Sequence, residues 1–276
     1  MGNLNGKVAL VSGSGRGIGR AIATKLAAEG ARVVVNDLDA EPAEETVGAI
    51  ESAGGQAVAC IGNVTEEDFG ERFVECAVDA FGTVDIIVNN AGYTWDSVIQ
   101  KMTDEQWEAM FDVHLKAPFR ILRAAQPVIS AAVKADRAAG IPVPCRKVVN
   151  ISSIAGLGGN AGQANYGAAK AGVTGLSKTL AKEWGRYNVT VNTVAFGLIR
   201  TRLTETPAGG DGVIDVQGKE IKVGVNPDLL ATMERDIPLG RGGTADEAAG
   251  AVYLLCTPES NYISGQTLVC GGGFSA

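Results

Sequence analysis

A single doubly wound α/β domain is the fold class this sequence predicts, and three observations predict it. Short apolar runs alternate with helical runs along the whole chain, the order that a parallel sheet covered on both faces requires. A glycine-rich turn, SGSGRGIG (12–19), joins the first apolar run to the first helical one. The chain has 276 residues, of which 46% are hydrophobic, enough to bury the large core of one such sheet.

The elements follow in order. KVALV (7–11) reads as a buried strand, RAIATKLAAEGA continues the turn as a helix over 17–29, and RVVVND supplies a second strand over 32–36. Helices are expected near 40–53, 66–81, 104–133, 164–186 and 244–256 from helical period, and strands near 57–61, 84–89, 146–151, 189–194 and 267–270 from short apolar runs. That makes a central parallel sheet of about seven strands with helices on both faces, a Rossmann arrangement. Two segments interrupt the alternation. KADRAAGIPVPCR (134–146) reads as a Pro- and Ala-rich surface loop. The stretch 202–236 is a larger insertion, in which GVIDVQGKEIKVG alternates around Gly218 like a β-hairpin and PDLLATMER reads as a short helix. Ligands of such folds bind at the carboxyl ends of the strands, so this insertion is expected to act as a substrate lid on the one domain spanning 1–276.

The glycine turn lies in the strand–turn–helix–strand context that binds a dinucleotide. Gly13 permits the tight turn, while Gly17 and Gly19 let the backbone approach a pyrophosphate and let the helix pack on the sheet. The helix N-terminus turns its free N–H groups and positive dipole end toward the phosphates. Asp37 closes the second strand, where a carboxylate accepts from ribose hydroxyls and repels a 2′-phosphate, so NAD(H) is favoured over NADP(H). Arg16 in the turn argues the other way, since a guanidinium pairs with a 2′-phosphate.

A second constellation lies in the middle of the chain. In NYGAAKAGVTGLSKTLAKEW (165–184), Tyr166 and Lys170 stand at i and i+4 on one helix face, and Ser153 follows the apolar strand KVVNIS. Taken alone, Tyr-x-x-x-Lys is common on helices. An ammonium beside a phenol favours the phenolate, which predicts a Tyr166 pKa below the usual value of about 10. Such a tyrosine is an acid or base for a carbonyl or alcohol oxygen, and Ser153 would hold that oxygen by a hydrogen bond.

With these motifs in their order and spacing, nearly the whole chain resembles the short-chain dehydrogenase/reductase family. The resemblance rests on SGSGRGIG, IIVNNAG (86–92), Ser153, Tyr166-Gly-Ala-Ala-Lys170, VNTVAFGLIRT (191–201) and SGQTLVCGGG (264–273). It implies that Tyr166 is the proton donor or acceptor, that Lys170 tunes it and binds the nicotinamide ribose, and that Ser153 orients the substrate oxygen. It implies a cofactor site formed by Ser12, Gly13, Arg16, Gly17, Ile18, Gly19, Asp37, Asn63, Val64, Asn90, Ala91, Gly92, Tyr166, Lys170, Gly197, Ile199 and Thr201. Three positions depart from the family pattern. His114 stands where an asparagine usually helps hold a water that links the lysine to solvent, a task an imidazole can also perform. Asn63 replaces the aspartate that meets the adenine amino group, and Phe196 replaces a proline before Gly197. Within the family, VVVND, VHLKAPF (113–119), GLGGNAGQANYGAAKAG (156–172) and AKEWGRYNVTVN (181–192) look like 3-oxoacyl-acyl-carrier-protein reductases and 3-hydroxyacyl-CoA dehydrogenases. The implied substrate is a 3-oxoacyl or 3-hydroxyacyl thioester of CoA or acyl carrier protein, and the implied assembly is a homodimer or homotetramer through the two small-residue-rich central helices.

Composition narrows the alternatives. A net charge of −7 argues against nonspecific nucleic-acid or anionic-membrane binding. A local exception is Lys134, Arg137, Arg146 and Lys147, a basic cluster that reads as a solvated loop or as a site for an acidic carrier or a CoA phosphate. Five cysteines without a CxxC suit a reducing cytosol, and the single histidine excludes a multi-histidine metal site. No apolar run approaches the roughly 20 residues that span a bilayer, and MGNLNGKVALV enters the first strand directly, so neither a signal peptide nor a membrane span is expected and the location is cytoplasmic. A sugar, steroid or other secondary alcohol is the rival substrate. A nucleotide-sensing regulator on an inactive dehydrogenase fold is the rival of another class; neither it nor a Rossmann methyltransferase has use for the Ser–Tyr–Lys trio.

Overall fold

The structure, a computed structural model, describes residues 2–201, 212–216, 218–223 and 227–274. In chain order its elements are β1 (Val8–Val11), α1 (Gly17–Ala28), β2 (Arg32–Asp37), α2 (Ala40–Ser52), β3 (Gln56–Ile61), α3 (Phe69–Phe81), β4 (Ile86–Asn89), α4 (Asp104–Phe111), α5 (Ala117–Ala138), β5 (Arg146–Ser153), α6 (Ala155–Gly158), α7 (Ala164–Trp184) and β6 (Val189–Phe196). They are followed by β7 (Gly212–Val216), β8 (Lys219–Val223), α8 (Pro227–Asp236), α9 (Ala245–Cys256) and β9 (Thr267–Cys270). Seven strands form one sheet in the order β3-β2-β1-β4-β5-β6-β9, every pair parallel.

The central strands β1, β4 and β6 are buried along their whole length. Both of their faces are covered, which is why they read as largely apolar runs. One apolar layer joins the sheet to α1, α2 and α9 through Ile22, Leu26, Ala43, Ile50, Val252 and Leu255. The other joins it to α3 and α5 through Phe69, Phe73, Ile121, Leu122 and Ile129, and reaches Trp184 at the end of α7. The strand order reverses at β1, which has β2 on one side and β4 on the other. In folds of this kind ligands bind at such a switch point, here beyond the carboxyl ends of β1 and β4.

Beyond shifts of a few residues at helix ends, such as α3 beginning at Phe69, the longest expected helix differs from the sequence expectation in two ways. The helix expected over 104–133 is interrupted by a π-helical turn at Asp112–Lys116. Pro118, in the first turn of α5, lacks the N–H that a continuous α-helix would donate to the carbonyl of His114, so the turn widens there. At its other end α5 runs on to Ala138, because KADRAA is rich in the good helix formers Ala, Lys and Arg; Gly140, at φ +68°, then ends it. The expected loop is thus confined to 139–145. Arg146 and Lys147 are buried in β5 (4% and 3% exposed), whereas Lys134 and Arg137 are exposed on α5, so the four residues form no common basic surface.

The hairpin expected around Gly218 is present as the antiparallel pair β7–β8, and the short helix as α8. The segment 202–211 that leads into them lies outside the described residues. Among the described residues, no helix is long and apolar enough to cross a membrane, and no group of His, Cys, Asp and Glu is suited to hold a metal ion.

Candidate active site

The glycine turn leaves β1 at Ser12, whose N–H donates to Val88 O of β4 (3.1 Å). Ser12 Oγ accepts from the N–H groups of Asn90 and Ala91 (3.0 and 3.1 Å), and Asn90 Nδ2 donates to Ser12 O and Gly13 O (both 3.0 Å). Asn36 holds the other side, its Oδ1 accepting from Gly13 N–H (3.0 Å). The turn is thus clamped between β2 and β4, and Asn90 serves it as a brace. Gly13 has φ +61°, and a Cβ there would lie 2.7 Å from Ala91 Cα; a Cβ on Gly19 would overlap Gly13 O. These glycines allow the start of α1 to close on the turn while its first N–H groups stay free for an anion. Ile18 packs against the first apolar layer and Val64 lies within the second, so both shape the cradle from behind.

Asp37 ends β2 beside this cradle. It is 8% exposed, and a Cβ on Gly15 would lie 2.6 Å from its Oδ2, so only a bare glycine leaves room for that carboxylate. Arg16 reaches Asp37 (3.5 Å) and, closer, Asp39 (2.8 Å). The guanidinium is therefore already occupied by carboxylates. Asn63 Oδ1 accepts from Thr65 N–H (3.0 Å), which commits part of that oxygen's capacity to its own loop.

The reactive trio assembles across β5 and α7. Ser153 is the last residue of β5, paired in register with Phe196 of β6, and Ile154 N–H donates to Phe196 O (2.9 Å). Phe196, standing in the expected proline position, continues β6 as a buried ladder residue and fixes the height of Ser153. Ser153 stands beside the Tyr166 phenol, and its Oγ accepts from Ala155 N–H (3.2 Å). Lys170, one turn along α7, is 4% exposed and donates to Ile151 O (2.8 Å), with its Nζ 5.5 Å from the centre of the Tyr166 ring.

The titration of this pair differs from the sequence expectation. Burial pushes the Tyr166 phenol up to about 12; the Ser153 hydrogen bond opposes it, and the Asp96 charge adds to it. Burial also brings the Lys170 amine down to about 7. The expected lowering of Tyr166 by its lysine is therefore not realised. A buried amine sheds the charge by which it would stabilise a phenolate, and water displaced from the phenol favours its neutral form.

His114 sits in the π-helical turn, 3% exposed. Its Nε2 lies 2.7 Å from Tyr93 O, which can only accept, so the proton is on Nε2 and Nδ1 carries a lone pair. Nδ1 is buried with no hydrogen-bond partner among the described residues. The ring packs on Gly92, where a Cβ would overlap it, and edge-on to Tyr166 at 5.0 Å between centroids. Burial, together with the nearby Lys170 charge, holds His114 well below the usual histidine range against the hydrogen bond to Tyr93, so the ring is neutral.

Gly197, Ile199 and Thr201 follow β6. A Cβ on Gly197 would lie 2.8 Å from Gly271 Cα, so the chain there runs close against the end of β9, and Ile199 bridges to Gly243. The sequence reading missed two features. Asp96 accepts from Gln163 Nε2 (2.8 Å), and burial raises its carboxyl above the usual range. A polar chain crosses the sheet interior: Asn89 Nδ2 donates to Asn150 Oδ1 (2.7 Å), Asn150 Nδ2 to Ser177 Oγ (2.8 Å) and Thr193 Oγ1 to the same Ser177 Oγ (2.9 Å). Asparagines within otherwise apolar strands were the available signal.

The class that this fold and site define is the short-chain dehydrogenase/reductase, an oxidoreductase. Within it, the chain belongs to the family described as Enoyl-(Acyl carrier protein) reductase, whose profile matches residues 13–275. Among similar proteins, a 3-oxoacyl-[acyl-carrier-protein] reductase of Synechocystis sp. is 38% identical over 98% of this chain and 97% of that protein. Proteins of the same description from Vibrio cholerae and Escherichia coli are 37% and 38% identical over 98% of either chain. A solved short-chain dehydrogenase/reductase variant from Serratia marcescens superposes with a TM-score of 0.82 at 30% identity, covering 99% of this chain and 100% of that one.

Proposed function

We propose that this enzyme reduces the 3-carbonyl of a 3-oxoacyl thioester, carried on acyl carrier protein or CoA, to the 3-hydroxyacyl thioester at a Ser153–Tyr166–Lys170 site. The observation that carries this reading is the Tyr166 phenol beside Ser153, with Lys170 buried one helical turn away and held by Ile151 O. The relatives named 3-oxoacyl-[acyl-carrier-protein] reductase support the substrate class.

The cradle fits a nicotinamide dinucleotide, since Gly13 and Gly19 leave bare backbone at the start of α1 and Asp37 stands at the ribose end. Ser12, Gly13, Arg16, Gly17, Ile18 and Gly19 would hold the pyrophosphate side, Asn63 and Val64 the adenine, and Asn90, Ala91, Gly92, Gly197, Ile199 and Thr201 the nicotinamide side. When bound, the nicotinamide supplies the hydride that the carbonyl carbon accepts. Ser153 Oγ–H donates to the carbonyl oxygen and polarises it. Tyr166, a phenol at neutral pH, transfers its proton to that oxygen as the charge develops. Lys170, poised near pH 7, takes up a proton as the phenolate forms beside it and returns one afterwards. The lone pair on His114 Nδ1 would hold a water next to Lys170, giving the site a path for that proton.

NAD(H) is the preferred cofactor in this reading, because Asp37 is buried at the ribose end and Arg16 is held by two carboxylates. The named relatives do not favour this choice, since 3-oxoacyl-acyl-carrier-protein reductases are usually NADPH-specific. The insertion 202–236 covers the substrate as a lid; in support, Glu234 of α8 takes Arg200 (2.6 Å) and Gly242 N–H (3.0 Å) beside Thr201. Exposed Trp107 and Phe119 on α4 and α5 support assembly into a homodimer or homotetramer. The deciding experiment is the initial rate of NADH and, separately, NADPH oxidation with acetoacetyl-CoA. Turnover with NADH supports both the substrate class and the role of Asp37. Turnover with NADPH alone overturns the cofactor preference, and none with either, despite cofactor binding, overturns the thioester assignment in favour of other secondary alcohols and ketones.

A further inference from the structure

Three consecutive residues at the end of β5 meet α7. Ile151 O accepts from Lys170 Nζ (2.8 Å), Ser152 Oγ donates to the backbone carbonyl of Lys170 (2.9 Å), and Ser153 stands beside the Tyr166 phenol. Two residues before Ser152, on the same face of the strand, Asn150 Nδ2 donates to Ser177 Oγ of α7 (2.8 Å). That oxygen also accepts from Thr193 Oγ1 of β6 (2.9 Å), and its proton goes to Val173 O within α7 (2.8 Å). Asn150 Oδ1 in turn accepts from Asn89 Nδ2 of β4 (2.7 Å). The helix is thus pinned to the sheet at Lys170 and at Ser177, about two turns apart.

Stability alone does not call for these groups. Val148 of β5 and Val191 of β6 share an apolar layer with Leu176 and Leu180 of α7, yet Asn150, Ser152 and Ser177 are fully buried beside it. Buried hydrogen-bonded pairs hold a fold little better than apolar side chains of the same shape. What they add is direction. Apolar contact is non-directional, so a helix held by it alone is free to settle at neighbouring heights. Sliding by one residue moves every side chain about 1.5 Å along the helix axis. Here such a slide leaves Asn150 Nδ2 and Ser177 Oγ buried and unpaired, which opposes it. The chemistry is sensitive on that scale, since a misplacement of about 1 Å costs on the order of 10²-fold in rate.

We propose that Ser152, with Ser177 as the second point, is a positioning residue for the reaction, fixing the height of α7 on β5 and so placing Tyr166 and Lys170 opposite Ser153. Ser152 acts through the backbone of Lys170 and not on the substrate. Once that backbone is held, the bond to Ile151 O directs the amine. Thr174 Oγ1 donates to the same Lys170 carbonyl (3.1 Å), but that bond is internal to α7 and does not tether the helix to the strand.

This role rests on the Ser153–Tyr166–Lys170 reading above, for which Tyr166→Phe is the control. Ser152→Ala, Ser177→Ala and Thr174→Val are compared with wild type, using the cofactor and carbonyl substrate that the wild type turns over, at a temperature where the proteins are folded. Ser152→Ala should lower kcat about tenfold with the Kd of the cofactor unchanged. Thr174→Val takes a hydroxyl from the same carbonyl and should leave kcat near the wild-type value. Hydrogen exchange of the α7 amides from Ala164 to Lys170 should quicken several-fold in Ser152→Ala and not in Thr174→Val. Should Ser152→Ala fail to fold, Ser177→Ala should show the same fall in kcat at unchanged cofactor Kd. Equal kcat in Ser152→Ala and Thr174→Val overturns the positioning role, because a merely structural hydroxyl makes the two variants alike. Wild-type turnover in Tyr166→Phe overturns the trio reading instead, and the exchange comparison then still decides whether Ser152 docks α7.

Discussion

Replacing Lys170 by methionine removes the amine that burial discharges and keeps most of its volume. In the unfolded chain the group titrates at about 10.5, and in the folded chain at about 7. Between those values the unfolded state carries the ammonium and the folded state the free amine, so folding releases a proton and stability rises with pH. One proton corresponds to about 1.4 kcal/mol per pH unit at most, so Lys170 should contribute roughly 2 kcal/mol of added stability from pH 8 to pH 9.5. Cys256 and Cys270, whose thiols burial pushes up, act in the opposite direction in the same range. The useful quantity is therefore the difference between wild type and variant, since both keep those thiols. Denaturant titrations under reducing conditions at the two pH values give it directly. The wild type should gain about 2 kcal/mol relative to Lys170→Met over that interval. Parallel curves, with no change in the difference, would refute a discharged Lys170 and with it the idea of an amine that exchanges protons near neutral pH.

Four further outcomes are expected. Tyr166→Phe should bind cofactor normally yet lose about 10²- to 10⁴-fold in turnover, the range of a proton donor; near-normal turnover counts against the mechanism. His114→Asn keeps a donor for Tyr93 O and an acceptor for a water, so its kcat should stay within about tenfold of wild type, whereas His114→Leu should fall further; equal rates in the two variants would remove His114 from the proton path. In Asp37→Ala the ratio of kcat/KM for NADPH over NADH should rise tenfold or more, equivalent to about 1.4 kcal/mol, and a constant ratio would show that Asp37 does not select the cofactor. Excision of the hairpin around Gly218 should raise the KM for the acyl thioester with NADH binding intact, and an unchanged KM refutes the lid.

The inner strands were readable because they are buried on both faces and largely apolar, so position along the chain and position in the sheet carry the same signal. The placements of Gly13, Gly19, Asp37, Ser153, Tyr166 and Lys170 were readable for a related reason: each is set by its distance from a strand end or by its place on a single helix. Features that depend on two distant segments were not. The π-helical turn has a local cause in Pro118, but its consequence, an imidazole wedged between Gly92 and Tyr166, appears only when β4 and α7 converge.

The Tyr166 titration failed as a sequence inference for a physical reason that also bears on function. The i, i+4 spacing correctly places an amine by a phenol, but charge stabilisation requires that the amine stay charged, and burial of Lys170 removes that condition. What remains is a neutral phenol beside Ser153 and an amine near its own midpoint. A neutral phenol is the protonation state that carbonyl reduction consumes, whereas alcohol oxidation must begin from the phenolate. At neutral pH the ligand-free site is therefore set for reduction. Oxidation of a 3-hydroxyacyl thioester should require higher pH, and a rate of oxidation that is flat from pH 6 to pH 9 would contradict this assignment of protons.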